Sequence, residues 1–257
     1  MHVCRIVLFP IKSLDGISVP SARLLPSGAL EHDRRFAIVD DDGRVVNAKR
    51  TAAIHRLRAA HDLTANEVTV TRPETQPKTF SLPDDHEALA RWLSEHFGFP
   101  VHLEEDTRTG FPDDRSAGGP TIISTQTIEL VAEWFRLAAD EVRQRFRANI
   151  EVDADTAFAE DQLFGNPGES VLFEVGEVAL CGTNPCQRCA VPSRSPTTGD
   201  VLEQFVRRFS DFRQQSLPAW VARGAFDHFY RLAVNTKLAA APADAVLRVG
   251  DPVSIMT

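Results

Sequence analysis

Residues 181–199 read Cys-Gly-Thr-Asn-Pro-Cys-Gln-Arg-Cys-Ala-Val-Pro-Ser-Arg-Ser-Pro-Thr-Thr-Gly. Three of the four cysteines of the chain lie at the start of this stretch, and Arg188 directly precedes Cys189. A thiolate binds soft metals, and a neighbouring guanidinium stabilises its negative charge. Pro185 and Pro192 stiffen the segment, so we expect the thiols to lie in a defined turn. The stretch therefore predicts metal or redox chemistry.

The spacing of possible ligands bears on which kind of thiol site this is. A structural zinc usually has two separated Cys or His pairs, but the eight His residues are scattered along the chain. An iron–sulfur cluster lacks a fourth ligand in the same way, since Cys4 lies inside an apolar run. Pro192 does not suit the helix that follows a thioredoxin-like Cys pair. Two interpretations remain: a metal that brings its own ligands and needs one thiolate, or inert buried thiols.

The composition excludes several classes of protein. The chain has 257 residues, 43% hydrophobic and 25% charged, which is typical of a globular protein and not of a disordered or collagen-like one. Its 28 Lys and Arg against 36 Asp and Glu give a formal net charge of -8. Binders of nucleic acid or anionic membranes present basic surfaces, so we expect neither partner. A local basic pocket is compatible with this balance.

The N-terminus has no features of a targeting or membrane segment. No stretch reaches the roughly 18 to 20 uncharged apolar residues of a membrane span, and the apolar run 3–9 is too short for a signal peptide. Clustered cysteines without a disulfide framework suit a reducing compartment. We therefore expect a cytoplasmic protein.

The first hundred residues are rich in strand signals. Apolar or alternating runs predict strands at 3–9, 16–25, 35–39, 45–46 and 66–72. Asp40-Asp41-Asp42-Gly43 predicts a hairpin turn, because Gly tolerates the positive φ that such a turn needs. A helix is predicted to open at Asp84 and Asp85 and to end at Gly98, with Leu89 and Trp92 on its apolar face.

The segment 104–120 carries charges, glycines and prolines without periodicity, so we place a domain boundary there, between domains 1–105 and 106–257. Beyond it, strands are predicted at 121–123, 147–152, 170–180 and 246–256, and helices are predicted to begin at Ser124 or Thr125 and at Asp200. The whole chain is predicted to be α+β and strand-dominated.

Three basic segments could bind an anion such as a phosphate. They are Pro10-Ile11-Lys12-Ser13, Asp33-Arg34-Arg35-Phe36 and Arg145-Phe146-Arg147-Ala148-Asn149-Ile150. Arg suits bidentate phosphate binding, and residues two apart on a strand share a face. For each segment alone, a solvated surface charge is the better interpretation.

Taken in order, these segments resemble the MOSC family (molybdenum-cofactor sulfurase C-terminal domain), preceded by that family's N-terminal β-barrel domain. The resemblance runs from Val3 to Val253. Cys186-Gln187-Arg188-Cys189, followed by Pro196-Thr197-Thr198-Gly199, carries its most specific part. It implies an N-terminal β-barrel-like domain and a MOSC-type β-barrel with flanking helices. The mitochondrial amidoxime-reducing component and its bacterial counterparts are the relatives that it implies.

The resemblance also implies one molybdenum cofactor, a pterin dithiolene that bears a phosphate. The second Cys of the family's Cys-x-Arg-Cys motif ligates the metal, which implies a catalytic and metal-binding role for Cys189. The residues at motif positions that hold the pterin and phosphate are Lys12, Ser13, Arg34, Arg147, Asn149 and Arg188. Ser124 joins this set as a helix-start hydroxyl, since a helix N-terminus suits phosphate.

The chain departs from the family pattern in three ways. Arg194-Ser195-Pro196 stands where Val-Asp-Pro is frequent, so the site loses a carboxylate, which favours an anionic substrate. Arg194 and Ser195 are assigned to substrate contact from their place in the loop alone. Phe36 replaces a frequent Trp. No Cys cluster follows residue 189, so we expect electrons from a separate ferredoxin- or flavoprotein-type partner.

Three hypotheses follow. The first is a molybdenum-cofactor oxidoreductase that removes oxygen from N-hydroxylated or N-oxide-type small molecules. The second is a carrier of the cofactor or of sulfur, in which Cys186 and Cys189 are acceptor thiols and Arg188 promotes the thiolate. The third is a binding module stabilised by structural zinc, which predicts loss of the fold with a chelator.

Overall fold

The computed structural model describes residues 1–82 and 84–256. These ranges hold fifteen strands and four α-helices, which confirms the predicted α+β, strand-dominated fold. The strands are β1 (Val3–Leu8), β2 (Ile17–Val19), β3 (Ser21–Arg23), β4 (Phe36–Asp40), β5 (Arg58–Asp62), β6 (Glu67–Thr71), β7 (Lys78–Ser81), β8 (Val101–Glu105), β9 (Ile122–Ser124), β10 (Ile150–Val152), β11 (Val171–Val175), β12 (Val178–Gln187), β13 (Arg231–Ala240), β14 (Val246–Arg248) and β15 (Val253–Ile255). The helices are α1 (His86–Phe97), α2 (Thr125–Phe135), α3 (Ala139–Phe146) and α4 (Phe205–Gln215).

An eight-stranded sheet runs in the order β15-β11-β12-β13-β9-β10-β1-β2. Its pairs are antiparallel, apart from the parallel pair β9 and β10. The N-terminal strand β1 pairs with β10, with Ile6 opposite Ile150. Leu8, Leu180 and Val234 belong to the buried core of this sheet. The first strands therefore share a core with the second half of the chain, and the boundary near residue 105 stays a prediction.

A second core forms around the sheets β4-β8 and β5-β6-β7. Helix α1 packs on it through Leu89, Trp92 and Leu93, as the apolar spacing predicts. The helix ends at Gly98, which takes the left-handed conformation (φ 78°) at no steric cost. The predicted hairpin turn is also present, since the N–H of Asp40 donates to the carbonyl of Arg44 at 3.0 Å.

Helices α2, α3 and α4 enclose a third, aromatic core. Phe135 and Phe205 stack with ring centroids 4.2 Å apart, and Phe146 and Phe209 pack beside them. Stacked and edge-on rings add to the stabilisation that comes from burying their area. Cys186 packs against this core, which therefore supports the end of β12.

The cysteine stretch is not the turn that the prolines predicted. Residues 170–180 form two strands, β11 and β12, and β12 continues through Cys181 and Cys186 to Gln187. Cys181 lies opposite Lys237 of β13, so these two thiols sit on a paired strand. Cys189 alone follows the strand end, just before a 3₁₀ helix at Val191–Ser193.

The predicted strand 147–152 is wrong at its start. Arg147 ends α3 in the left-handed conformation (φ 53°), with its N–H donating to the carbonyl of Arg143 at 2.8 Å. Strand β10 begins only at Ile150. Arg147 and Asn149 therefore flank a helix end and do not share a strand face.

The helix predicted from Asp200 begins at Phe205 instead. The carboxylate of Asp200 accepts from the Thr198 hydroxyl at 2.7 Å, and its carbonyl accepts from the N–H of Ser195 at 2.7 Å. These bonds commit Asp200 to the loop after the cysteines.

Across residues 1–82 and 84–256, the longest helix has 12 residues. None is long and apolar enough to cross a bilayer.

Candidate functional site

A cavity of about 830 Å³ collects most of the predicted site residues. In the described part of the chain its walls carry eleven Lys or Arg and five Asp or Glu. The chain as a whole has the opposite balance, with a net charge of -8. Such a concentration of positive charge in a cleft attracts an anionic ligand, and the volume suits a cofactor or a small molecule.

Phe9, which follows β1, is the platform for two of the cavity's cations. The guanidinium carbon of Arg147 lies 4.0 Å from the centre of its ring, and that of Arg34 lies 5.2 Å away. Asp33 pairs with Arg34 and also accepts from the N–H of Phe9 at 2.9 Å. Each cation is attracted to the negative face of the ring. The ring thus holds both guanidinium groups on one wall.

Arg147 is the less compensated of these two cations. Among the described residues, its guanidinium has no hydrogen-bonding or ion-pair partner, whereas Arg34 is paired with Asp33. Burial and the positive charge of Arg34 lower the pKa of Arg147 to about 10. Arg147 is still charged at neutral pH, so it can bind an anion.

Lys12 lies on the same wall, held by two oxygens. Its Nζ donates to the carbonyl of Phe111 at 2.7 Å and to the carboxylate of Asp113 at 2.8 Å. Burial lowers the pKa of Lys12, and the charge of Asp113 opposes that shift. The side chain of Asp113 is 78% exposed, and the charges of Lys12 and Arg34 lower its pKa. An anion that binds Lys12 must compete with Asp113.

Ser13, next to Lys12, also lines the cavity. Its backbone is left-handed, with φ 74°. Within the described ranges its hydroxyl has no hydrogen-bond partner, so the hydroxyl can serve a ligand.

Asn149 is buried, and the protein itself uses most of its side chain. Its Oδ1 accepts from the N–H and hydroxyl of Thr121, at 3.3 and 3.2 Å, and from Arg34 at 3.4 Å. Its Nδ2 donates to the carbonyl of Val7 at 3.2 Å. Asn149 lines the cavity, yet its clearest role is to join β1, Thr121 and Arg34.

Arg188 directly precedes Cys189 in the sequence, but its side chain contacts Cys186 instead. Its Nη1 donates to the Sγ of Cys186 at 3.1 Å, and its Nη2 donates to the carbonyl of Phe146. The Sγ of Cys189 instead accepts from the N–H of Val191 at 3.5 Å. Both cysteines line the cavity as half-buried free thiols.

Ser124 is the predicted site residue that lies apart from the others. Its side chain is fully buried, and its hydroxyl accepts from the N–H of Thr127 at 3.3 Å as the cap of α2. The described residues that line the cavity include Ile123 but not Ser124. The helix cap is as predicted, but its hydroxyl does not face the cavity, because α2 needs it for its own first turn.

The two residues assigned to substrate contact lie in different surroundings. Arg194 lines the cavity. Ser195 is outside the described lining, and its hydroxyl accepts from the N–H groups of Thr197 and Thr198 at 3.4 and 3.3 Å. Its side chain therefore closes its own turn.

Sequence reasoning missed Arg145 as the residue that positions the cysteine loop. It is buried and donates to the carbonyls of Pro192 and Arg194, at 2.8 and 2.6 Å, while Glu141 accepts from its guanidinium at 2.6 Å. Glu141 and Arg145 are four residues apart on α3, a spacing typical of a helical ion pair. The sequence shows this spacing, but it does not show that Arg145 contacts the cysteine loop.

Within residues 1–82 and 84–256, no group of three or more His, Cys, Asp or Glu is placed to hold a metal ion. A structural zinc usually takes four such ligands. The zinc hypothesis therefore has no ligand set in this part of the chain.

The side chains in the cavity fit the cofactor that the resemblance implies. A phosphate-bearing cofactor needs cations and donors that are not already used, and Arg147 and the Ser13 hydroxyl meet that need. A metal that carries its own sulfur ligands needs one more thiolate, and Cys189 on the cavity wall can provide it.

Curated proteins similar to this chain include the molybdenum cofactor sulfurase of Drosophila grimshawi, 24% identical over 240 residues, which cover 80% of this chain and 30% of that protein. The molybdenum cofactor sulfurase of Oryza sativa subsp. japonica is 20% identical over 250 residues, covering 79% of this chain and 29% of that protein. The chain thus spans about a third of the length of these relatives.

Among solved structures, the YUAD protein from Bacillus subtilis is similar over 99% of this chain and 94% of its own, with a TM-score of 0.41 and 10% identity. YiiM from Geobacillus stearothermophilus is similar over 54% of each chain, with a TM-score of 0.34 and 10% identity.

Two family models match the chain in sequence order. The model of the MOSC N-terminal beta barrel domain matches residues 1–100, and the model of the MOSC domain matches residues 121–254. Together they span nearly all of the chain, including every residue on which the resemblance was based. The chain belongs to the MOSC family, with a MOSC N-terminal β-barrel domain followed by a MOSC domain.

Proposed function

We propose that the protein binds the molybdenum cofactor in this cavity, with Cys189 as the protein's metal ligand, and reduces N-hydroxylated or N-oxide-type small molecules. The observation that carries the proposal is a half-buried thiol on the wall of a strongly basic cavity, in a chain that is otherwise acidic. That pairing suits one ligand type, an anion that also offers a soft metal.

Some of the predicted site residues would contact the cofactor, and others support the cavity wall. Lys12, Ser13, Arg34 and Arg147 would hold the phosphate and pterin, since their charged or free polar groups line one wall. Asn149 supports this wall by its bonds to Arg34 and Thr121. Ser124 acts only through the start of α2.

Around the thiols, Arg188 and the backbone set the orientation. Arg188 is fixed by the carbonyl of Phe146 and by Cys186, so its charge stays beside the cysteines. The N–H of Val191 orients the sulfur of Cys189. When bound, the cofactor supplies two-electron chemistry at its metal.

The net reaction has a simple balance. An amidoxime takes up two electrons and two protons, its N–O bond breaks, and an amidine and water are formed. The electrons come from a separate ferredoxin- or flavoprotein-type donor. A cytoplasmic location is part of the proposal, because four free cysteines suit a reducing compartment.

The first test is metal analysis of protein made in a host that synthesises the cofactor. Wild type is expected to hold molybdenum in a 1:1 ratio and to reduce benzamidoxime with a chemical reductant. Cys189→Ser is expected to lose turnover while keeping its fold. Cys4→Ser is the matched control, because Cys4 lies exposed on β1 outside the cavity lining. Undiminished turnover by Cys189→Ser would overturn the assignment.

A second candidate is sulfur transfer, and one contact favours it. The guanidinium of Arg188 points at Cys186, which is the arrangement expected for an acceptor thiolate. The similar curated proteins are named molybdenum cofactor sulfurases. Incubation with a cysteine desulfurase and cysteine, followed by mass spectrometry, tests this reading. One added sulfur atom on Cys186 that disappears in Arg188→Gln supports transfer, and an unmodified thiol opposes it.

A further inference from the structure

The side chains that line the cavity outside the set assigned to the cofactor include His55, Arg58 and Arg194, here called the basic corner. The Nη2 of Arg58 donates to the carbonyls of His55 at 2.6 Å and Pro196 at 2.9 Å. The Nη1 of Arg194 donates to the carbonyl of Gly199 at 3.1 Å. The bond from Arg58 to Pro196 fastens the loop after Cys189 to the start of β5, and the bond from Arg194 to Gly199 closes that loop on itself.

The two arginines differ in how far their charge is compensated. Asp15 lies 3.4 Å from Arg58 and neutralises part of its charge. Arg194 has no carboxylate within 4.0 Å in the described part of the chain, and its one side-chain hydrogen bond there goes to a backbone carbonyl. A guanidinium with that environment attracts an anion, preferably one with two oxygens.

His55 adds no positive charge to the basic corner. It is buried, and within the described residues its Nε2 has no hydrogen-bond partner. Burial and then the positive charges of Arg194 and Arg58 lower its pKa. The imidazole is therefore neutral at pH 7 and sits among guanidinium groups without repelling them.

The basic corner is adjacent to the thiol that we assign to the metal. One 3₁₀ turn, Val191–Ser193, separates Cys189 from Arg194, and the N–H of Arg194 donates to the carbonyl of Val191 at 2.9 Å. Both residues line the same cavity. A small molecule that reacts beside Cys189 can therefore present a second group to Arg194.

We infer that the basic corner binds a carboxylate of the substrate, with Arg194 as the principal contact and Arg58 beside it. The substrate class is then N-hydroxylated small molecules that carry a negative charge. This inference rests on the proposed function for the reacting group, but the carboxylate site itself can be tested without turnover.

The binding test compares 4-carboxybenzamide with benzamide, neither of which has an N–O bond to reduce, by calorimetry on the purified protein, whether or not it holds molybdenum. Wild type is expected to bind the carboxylate at least about tenfold more tightly, a difference that shrinks as salt is raised. Arg194→Gln is expected to lose most of this preference, and Arg194→Lys to keep part of it. Arg207→Gln is the control, because Arg207 is 83% exposed on α4.

The turnover test compares 4-carboxybenzamidoxime with benzamidoxime through the ratio of their kcat/KM values. Arg194→Gln is expected to lower this ratio about tenfold. Equal binding of the two amides by wild type, or an unchanged preference in folded Arg194→Gln, overturns the inference. If neither amidoxime is reduced, the proposed function fails, and the amide comparison still decides whether the corner binds carboxylates.

Discussion

The guanidinium of Arg147 lies 4.0 Å from the centre of the Phe9 ring, although 138 positions separate the two residues in the chain. The contact brings the end of α3 against the end of β1. It holds a cation that has no carboxylate partner among the described residues on the cavity wall. Without an anion the arrangement costs free energy, since attraction to the ring offsets only part of the cost of removing an uncompensated charge from water.

Replacing Arg147 should therefore stabilise the folded protein and weaken its binding of an anion. In Arg147→Gln, loss of a charge that is disfavoured by burial and by Arg34 should raise the free energy of unfolding by about 1–2 kcal/mol without ligand. Molybdenum content, or affinity for inorganic pyrophosphate, should fall about tenfold. Urea unfolding and calorimetry measure the two effects. A variant that is both less stable and equally tight in binding would contradict this account.

Removing the carboxylate that competes for Lys12 should have the opposite effect on binding. Asp113→Asn leaves Lys12 without its ion pair and removes a negative charge from the cavity wall. Affinity for pyrophosphate should rise several-fold. Asp42→Asn is a suitable control, because Asp42 pairs with Arg44 on the hairpin, outside the described cavity lining. Weaker binding by Asp113→Asn would show that Asp113 orients Lys12 rather than competing for it.

Arg145 should matter for the order of the cysteine loop. In Arg145→Met, the carbonyls of Pro192 and Arg194 lose a buried donor, which should lower the free energy of unfolding by about 2–4 kcal/mol. Hydrogen exchange should accelerate in residues 190–196 more than elsewhere. Arg207→Met, at an exposed position, should change neither measurement. Uniform acceleration across the chain would instead point to a general loss of stability.

Glu160 should make stability fall as the pH rises. It is fully buried, its Oε1 has no partner among the described residues, and burial with the nearby Asp161 raises its pKa to about 7. The folded state keeps this proton between pH 4.5 and 7 while the unfolded state releases it, so stability decreases across that window.

The variant Glu160→Gln should remove this loss, because its amide oxygen still accepts from Thr127 and carries no charge. Its stability relative to wild type should therefore grow from pH 5 to pH 8 in urea unfolding. Glu129→Gln, exposed on α2, should show no such trend. A constant difference across the range would mean that Glu160 is ionised throughout.

Helices and turns were predictable wherever a local pattern was sufficient. The spacing of Leu89 and Trp92, the cap at Ser124 and the glycine at residue 98 each act within one or two turns of chain. The predicted first and last residues of an element were wrong where partners distant in the sequence decide them. The strand through Cys181 and Cys186 exists because β13 pairs with it, and Arg147 ends a helix whose few apolar residues gave no strong signal.

The order of short motifs along the chain was enough to identify the family and to select the residues that meet in one cavity, because each motif is a local string of residue types. What each side chain does there depends on partners far away in the sequence. Arg188 donates to Cys186 and not to its neighbour Cys189. The side-chain amide of Asn149 is hydrogen-bonded to Val7, Thr121 and Arg34. Hydrogen bonds and ion pairs act through space over a few ångströms, so only the folded chain decides which cations remain free for a ligand.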